Sequence, residues 1–392
     1  MNNRGWVRRL PPVDGELLSS CLARNAFAHG LPPYRFLNLV WDHDPVWSRD
    51  FDRDPGGLVR ITGPESTRTS WIEDIADRLG ITRAVVSDAT LVEWIEALGT
   101  DATNGAADSR LILSAGVYHR TRTRLALQYC PDCLADGVPH FHKEWRLGFV
   151  TWCTTHGRPL RDACPHCDAS VIPHRSMTNS LVDCHACGKK LTARGHEASM
   201  SDVPVLVRRL QDDLLDVVEG SCARERRRGG ADGVGLPMTI RSLLSASAPS
   251  GFHDGLRAAL GLPPATTRDG GRRRFEHARL AVRIPWLETV AAWMDDWPRN
   301  FLIGAEAIGA SGRTFVRCRM SPALADQVAR LPARRKQPRR PWQPLLDEPV
   351  INRLRRHDRD AYHALRARRI MNGVAVAGKS GKAEQTAMEG GT

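Results

Sequence analysis

Four short runs, Tyr129-Cys130-Pro131-Asp132-Cys133-Leu134, Cys153-Thr154-Thr155-His156, Cys164-Pro165-His166-Cys167 and Cys184-His185-Ala186-Cys187, decide how this chain folds. In each, two ligand-type residues are separated by two others. A gap of that length lets a tight knuckle turn aim both side chains at one ion, and two knuckles supply the four corners of a tetrahedral Zn²⁺ site. Pairing in chain order gives one finger of Cys130, Cys133, Cys153 and His156 and a second of Cys164, Cys167, Cys184 and Cys187; an interleaved arrangement is the alternative. Redox or disulfide cysteines are the competing use, but four consecutive knuckles in about sixty residues favour metal. Two structural Zn²⁺ ions are therefore expected. With four protein ligands each, neither ion keeps a place for a reacting water, so catalysis at the metal is not expected. His140, His142, His166, His174 and His185 read as bystanders.

The flanking sequence bounds what these fingers serve. The chain has 392 residues, 42% of them hydrophobic, which suffices for two or three cores. It holds no apolar run long enough to span a membrane, and Met1 to Leu10 contains no stretch suited to a signal peptide. A cytoplasmic protein with no membrane partner is expected, in a compartment that keeps ligand thiols reduced. The net charge of +12 favours a polyanionic partner. Much of it sits between residues 330 and 370, where 13 Arg and Lys face four acids. The candidate nucleic-acid contacts there are Arg334, Arg335, Lys336, Arg339, Arg340, Arg353, Arg355 and Arg356, with a solvated tail as the competing reading.

Periodicity predicts helices on both sides of the fingers. Asp14 reads as the cap of a helix carrying Leu17, Leu18, Cys21, Leu22 and Ala26 and ended by Gly30, and a short helix with Phe36, Leu37, Val40 and Trp41 follows. Residues 42 to 66 read as an irregular connection. Ser70 reads as the cap of a helix carrying Trp71, Ile72, Ile75 and Leu79. Gly80 breaks it, and a second run continues through Leu91, Trp94, Ile95 and Leu98, which makes a helix-turn-helix-like pair. Phe141 to Trp152 alternates like a short strand pair with Trp145, Leu147, Phe149 and Trp152 as a miniature core. Val203, Val207, Leu210, Leu214 and Val217 mark a helix capped by Ser201 and Asp202. An Arg- and Gly-rich linker then runs from Arg224, and further helical runs follow at 240–244, 252–260, 275–282, 285–296 and 297–308. Gly373, Gly378, Lys379 and Ser380 match P-loop spacing without the strand and helix that a P-loop needs, so nucleotide binding is not expected there.

The expected fold is mainly α and multidomain. It comprises an N-terminal helix-turn-helix-like domain (1–110), central tandem zinc-ribbon-like fingers (111–200), a C-terminal helical domain (201–330) and a basic helix and tail (331–392).

The run Tyr129 to Leu134, followed by Trp145 to Leu160 and by Cys164-Pro-His-Cys167, resembles the core signature of the TniQ family of transposition proteins. Gly15 to Arg24 is similar to the family's N-terminal helix, and Asp74 to Gly80 with Thr90 and Leu91 to its helix-turn-helix segment. The resemblance spans about residues 12 to 320. Ser20-Cys21 stands where the family commonly has a tryptophan, and the basic tail is an addition. The resemblance implies a non-enzymatic target-selection factor that binds a DNA site or an RNA-guided Cascade complex and recruits an AAA+ ATPase. It carries the ligand role to the same eight Cys and His residues and leaves room for a homodimer. Competing readings are a stand-alone transcription regulator that reads DNA with residues 71–98, and a zinc hydrolase using Asp132, Asp136 and Glu144. No H-E-x-x-H element supports the hydrolase.

Overall fold

The computed structural model describes residues 5–41, 65–98, 111–113, 127–192, 203–225, 235–247, 250–265, 275–315 and 320–332, with 358, 360 and 363. Met1–Ala333 is one compact unit and Arg334–Thr392 a second. The eight candidate nucleic-acid contacts and the P-loop-like glycines lie outside the described residues, as do residues 42–64, most of the 100–126 connection, Ser201 and Asp202, and Cys318.

Helices α1 (Leu18–Ala28) and α2 (Pro33–Val40) form the first layer. Gly30, at φ 70°, adopts the left-handed conformation that ends α1. Asp14 is not the cap. Helix α1 begins beyond Leu17 with no side-chain cap; its first amide, Leu18 N, donates to Ala89 O, and the turn before it is braced by Glu16. Its buried carboxylate accepts hydrogen bonds from Val13 N (2.9 Å), Ser20 Oγ (2.7 Å) and Arg24 Nε (2.8 Å). The same turn ties α1 to the fingers: Leu17 N donates to Phe141 O, Lys143 N to Gly15 O, and Phe141 N to Ser20 Oγ.

Helix α3 (Glu65–Leu79) starts five residues before Ser70, so Ser70 lies inside it rather than at its cap. After Gly80 (φ 68°) the expected second long helix divides. Helix α4 (Arg83–Asp88) has six residues, and α5 (Trp94–Ala97) is a separate turn. The apolar period continues through the break because Val86, Leu91 and Trp94 are all buried, although Thr90 makes a turn between them by accepting from Val92 N and donating to Ser87 O. Trp71, Ile75, Leu79 and Val86 join Leu18, Leu22, Trp6 and Phe36 in one core.

In the centre, α6 (Pro131–Ala135) follows the first ligand, and the only paired strands among the described residues are β1 (Trp152–Cys153) and β2 (Arg158–Pro159). Phe141 to Trp152 is therefore not a strand pair. Lys143–Arg146 is a 3₁₀ turn, and its alternation arises from a compact reversal that buries Phe141, Trp145, Leu147 and Phe149. Trp152 is only partly buried, with the Arg208 guanidinium 5.0 Å above its ring.

Helix α7 (Val205–Glu225) packs on α5 and on the long helix α10 (Leu280–Met294). It buries Val207, Leu210, Leu214 and Val218; Val217 lies beside the seam, and the helix continues past Arg224. Helices α8 (Gly235–Ser247) and α9 (Ser250–Ala259) pack around α10. So do α11 (Arg299–Ala307), α12 (Gly312–Phe315) and α13 (Pro322–Ala329), directly or through α8. Pro285 does not start a helix but sits within α10, and the expected run at 275–282 is a 3₁₀ turn, Phe275–His277, followed by the start of α10. The carbonyl of Pro285 accepts from Arg257 Nη1 and Thr289 Oγ1. The described fold is mainly helical, and among its helices none is long and apolar enough to cross a membrane.

Candidate metal centres

The eight expected ligands come together as two sets of four, paired in chain order rather than interleaved. Within each set all ligand atoms lie within 4.8 Å of one another. A Zn²⁺ ion with bonds of about 2.3 Å to sulfur and 2.0 Å to nitrogen would give tetrahedral edges of about 3.8 Å (S to S) and about 3.5 Å (S to N). In the first set, Cys133 Sγ is 3.5 Å from Cys153 Sγ, and His156 Nδ1 is 3.7, 3.2 and 3.7 Å from the sulfurs of Cys130, Cys133 and Cys153. In the second, Cys164 and Cys187 are 3.8 Å apart and Cys167 and Cys184 3.7 Å. These are tetrahedral edges, much longer than a disulfide bond of about 2.05 Å. Both donor sets fit a tetrahedral ion.

Three of the knuckles repeat one backbone design. After the second ligand comes a residue in the left-handed conformation, Gly157 (φ 57°), Asp168 (φ 58°) or Gly188 (φ 70°). Its N–H returns to the carbonyl of the first ligand at 2.9, 3.0 and 2.9 Å. Inside each turn a backbone N–H points at the first sulfur: His156 N to Cys153, His166 N to Cys164 and Ala186 N to Cys184, each at 3.4 Å. Such donors offset negative charge on thiolate ligands. The first knuckle differs, since Pro131 opens α6 and Leu134 N bonds to Cys130 O.

The first set is the more enclosed. Cys130 and Cys153 are buried, Cys133 and His156 partly so, whereas the second set leaves Cys167 and Cys187 exposed. His156 Nε2 is 2.9 Å from Asp136 Oδ2. That places the ring proton on Nε2 and turns the Nδ1 lone pair toward the sulfurs. The Asp136 hydrogen bond raises the His156 pKa. Contacts with Cys130, then with each other, pull the Cys153 thiol down to about 3 and push Cys133 up. A second carboxylate, Asp132, pairs with Arg158 at 2.7 Å. The sequence named Asp132, Asp136 and Glu144 only for the hydrolase reading. The structure puts Asp136 behind a ligand, and burial raises Glu144 above the usual carboxylate range.

The fingers are held by a polar seam that residue-by-residue reading missed. Gln128, fully buried, donates from Nε2 to the carbonyls of Trp145 (3.3 Å), Leu147 (3.1 Å) and Val150 (2.9 Å), and accepts from Arg283 Nη2 (2.8 Å). Arg283 also donates to Gly148 O and Ala278 O. Burial lowers its pKa to about 10, so it stays charged at neutral pH. Gln211 on α7 bonds both amides of Thr151 and Trp152 and the Trp152 carbonyl. Asp162 accepts from Leu280 N (2.5 Å) at the first turn of α10. Asp168, in the third knuckle, grips Arg279 through both oxygens at 2.5 and 2.6 Å, which holds its carboxyl below the usual range.

Two four-residue donor sets that could hold metal ions, joined by buried polar contacts to helices on either side, lie within a mainly helical protein. Residues 7–160 match the model of the TniQ family, so that stretch of the chain is similar to a TniQ domain. The match contains α1 to α6 and the whole first set and ends before Cys164, so the second set lies beyond it. No curated protein matches the chain.

Proposed function

We propose that this protein is a non-enzymatic target-selection factor of a transposition system, with two structural Zn²⁺ ions held by the eight ligands above. The TniQ domain fits a transposition-associated factor. The observation that carries the rest is the closure of both donor sets. Four protein ligands per ion leave no open position, so the metal serves the fold rather than a reaction. When bound, each ion would link knuckles about twenty residues apart, and its binding free energy would be folding free energy. The chain's own residues do the orienting: Asp136 sets the His156 ring, and the turn amides face the sulfurs. Target recognition, of a DNA site or an RNA-guided Cascade complex, and recruitment of an AAA+ ATPase belong to this reading, as does a cytoplasmic location. The Arg334 to Arg356 cations supply contacts to phosphates.

The test has three parts. Elemental analysis should find two zinc ions per chain. Binding to duplex DNA should weaken with salt, log K falling about 0.9 per log unit of salt for each phosphate neutralised, and truncation after residue 333 should flatten that slope. A pull-down should retain the ATPase, with DNA or guide RNA altering the amount. No zinc, salt-insensitive binding and no ATPase capture would each remove the corresponding part.

A further inference from the structure

The second donor set stands apart from the first in two ways, and together they suggest a role. Its outer thiols, Cys167 and Cys187, are exposed, while Cys164 and Cys184 are buried. It also lies where chain segments from both sides of the fingers meet. The turn Pro173–Arg175 between its knuckles packs on α1 and α2, with Ile172, His174 and Ser176 buried there. On the other side Asp162 holds Leu280 N, and Asp168, one residue after Cys167, holds Arg279. The set is thus the joint between the N-terminal helices and α10.

We propose that this joint is an oxidation site: a hydroperoxide converts Cys167 and Cys187 to a disulfide, releases the ion, and loosens the hold of the fingers on α10. The inference rests on the reading that the second set carries zinc. Surface thiolates are the ones oxidants reach, and in the first set Cys130 and Cys153 are buried and Cys133 half-buried. In the step, one thiolate attacks the peroxide O–O bond to give a sulfenic acid and hydroxide. The second thiolate attacks that sulfur, forms the S–S bond and expels a second hydroxide. The two sulfurs lose two electrons, hydrogen peroxide gains them, and two protons from solvent complete two waters. The two sulfurs lie within 4.8 Å of each other, so bonding requires a short closure of the knuckles. Loss of two of four ligands then frees the ion. Asp168, whose backbone conformation the third knuckle fixes, loses its set geometry toward Arg279.

The experiment uses the full chain, loaded with zinc and quantified first, then exposed to hydrogen peroxide with a chromogenic chelator present. Peptide mapping locates any disulfide, and hydrogen exchange follows residues 280–294. Starting from two ions per chain, one should leave about tenfold faster than the other, in step with a Cys167–Cys187 disulfide and faster exchange at the start of α10. Thiol reductant with added zinc should reverse all three. Equal release of both ions, a first disulfide among Cys130, Cys133 and Cys153, or unchanged exchange at 280–294 would overturn the proposal. Zinc absent at the outset would instead overturn the metal reading beneath it.

Discussion

Replacing Gln128 by leucine tests whether the buried polar seam, rather than the metal alone, holds the fingers to the C-terminal helices. Leucine keeps most of the volume, so little of the effect is a cavity. The amide, however, is fully buried and serves four partners: the carbonyls of Trp145, Leu147 and Val150 and the Arg283 guanidinium. Loss of the acceptor for a charged donor costs about 1.5–3 kcal/mol, and stranding the carbonyls a further 1–3 kcal/mol, so about 4 kcal/mol is expected. With an unfolding entropy of about 2.1 cal/mol/K per residue, the unit Met1–Ala333 gives about 0.7 kcal/mol/K, so the melting temperature should fall by about 6 °C. Calorimetry or tryptophan fluorescence on zinc-loaded protein reads this directly, since Trp145 and Trp293 are buried reporters. Arg283→Met on the same background should cost less than it does alone, by about 1 kcal/mol or more, because its stranded partner is already gone. A fall under about 1 °C for Gln128→Leu, or strict additivity in the double variant, would refute the reasoning.

Asp136→Ala should weaken metal binding at the first site by about 10- to 100-fold and leave the second unchanged, read by competition with a chelator in the Cys187→Ser background and in the parent. Gly304→Ala should cost about 1–3 kcal/mol, measured by denaturant unfolding, since its Cβ would lie 2.4 Å from Trp293 Nε1 and 2.6 Å from Leu256 Cδ1. His142 predicts an acid sensitivity. Burial, then the neighbouring His140, lowers its pKa from 6.5 to about 4, so the folded state resists its protonation. The stability this contributes is complete above pH 6.5 and is lost as pH falls toward 4. After allowance for partial exposure, about 1–2 kcal/mol should be lost by pH 5. His142→Gln should lose correspondingly less between pH 7 and 5 than the parent, and an equal loss would exclude the assignment.

What could be read from the sequence divides by the range of the interaction that fixes it. The knuckles were legible because a two-residue gap is a local geometric requirement, and both donor sets assemble in chain order. The apolar faces of α1, α2 and α7 were legible for the same reason. Errors fell where a longer-range demand competes with a local pattern. The period through Val86, Leu91 and Trp94 reads as one helix, yet the Thr90 turn splits it: Val86 enters the core of the N-terminal helices, Leu91 and Trp94 the core shared by the fingers and the C-terminal helices. Phe141 to Trp152 alternates in residue type like a strand, yet after its 3₁₀ turn every residue from Trp145 to Thr151 is buried, so the polar members of the pattern do not mark an exposed face. Pro285 read as a helix start, although its carbonyl gains two acceptor roles inside α10. Gln128, Gln211, Asp162 and Arg283 carry no local signal, since the contacts that join them to other elements lie 17 or more residues away.

That division also bears on where target contact would lie. The six-residue α4 ends in Asp88 and carries Arg83 paired with Glu73 on α3. Reading bases in a groove asks for several outward side chains along a helix, with arginine free to reach guanine edges. Here the helix has only six residues and its one cation sits in an exposed pair, while the apolar faces of α3 and α4 pack against α1 and Trp6. Under the proposed function, contact with phosphates is assigned to the Arg334 to Arg356 segment, while the fingers, bonded on both flanks, tie the N-terminal helices to α10. Transferring Arg83→Ala and the truncation after residue 333 to the same DNA-binding assay separates the two. Arg83→Ala should leave both affinity and salt slope unchanged, whereas truncation should reduce both. A large loss from Arg83→Ala alone would restore the reading role to α4.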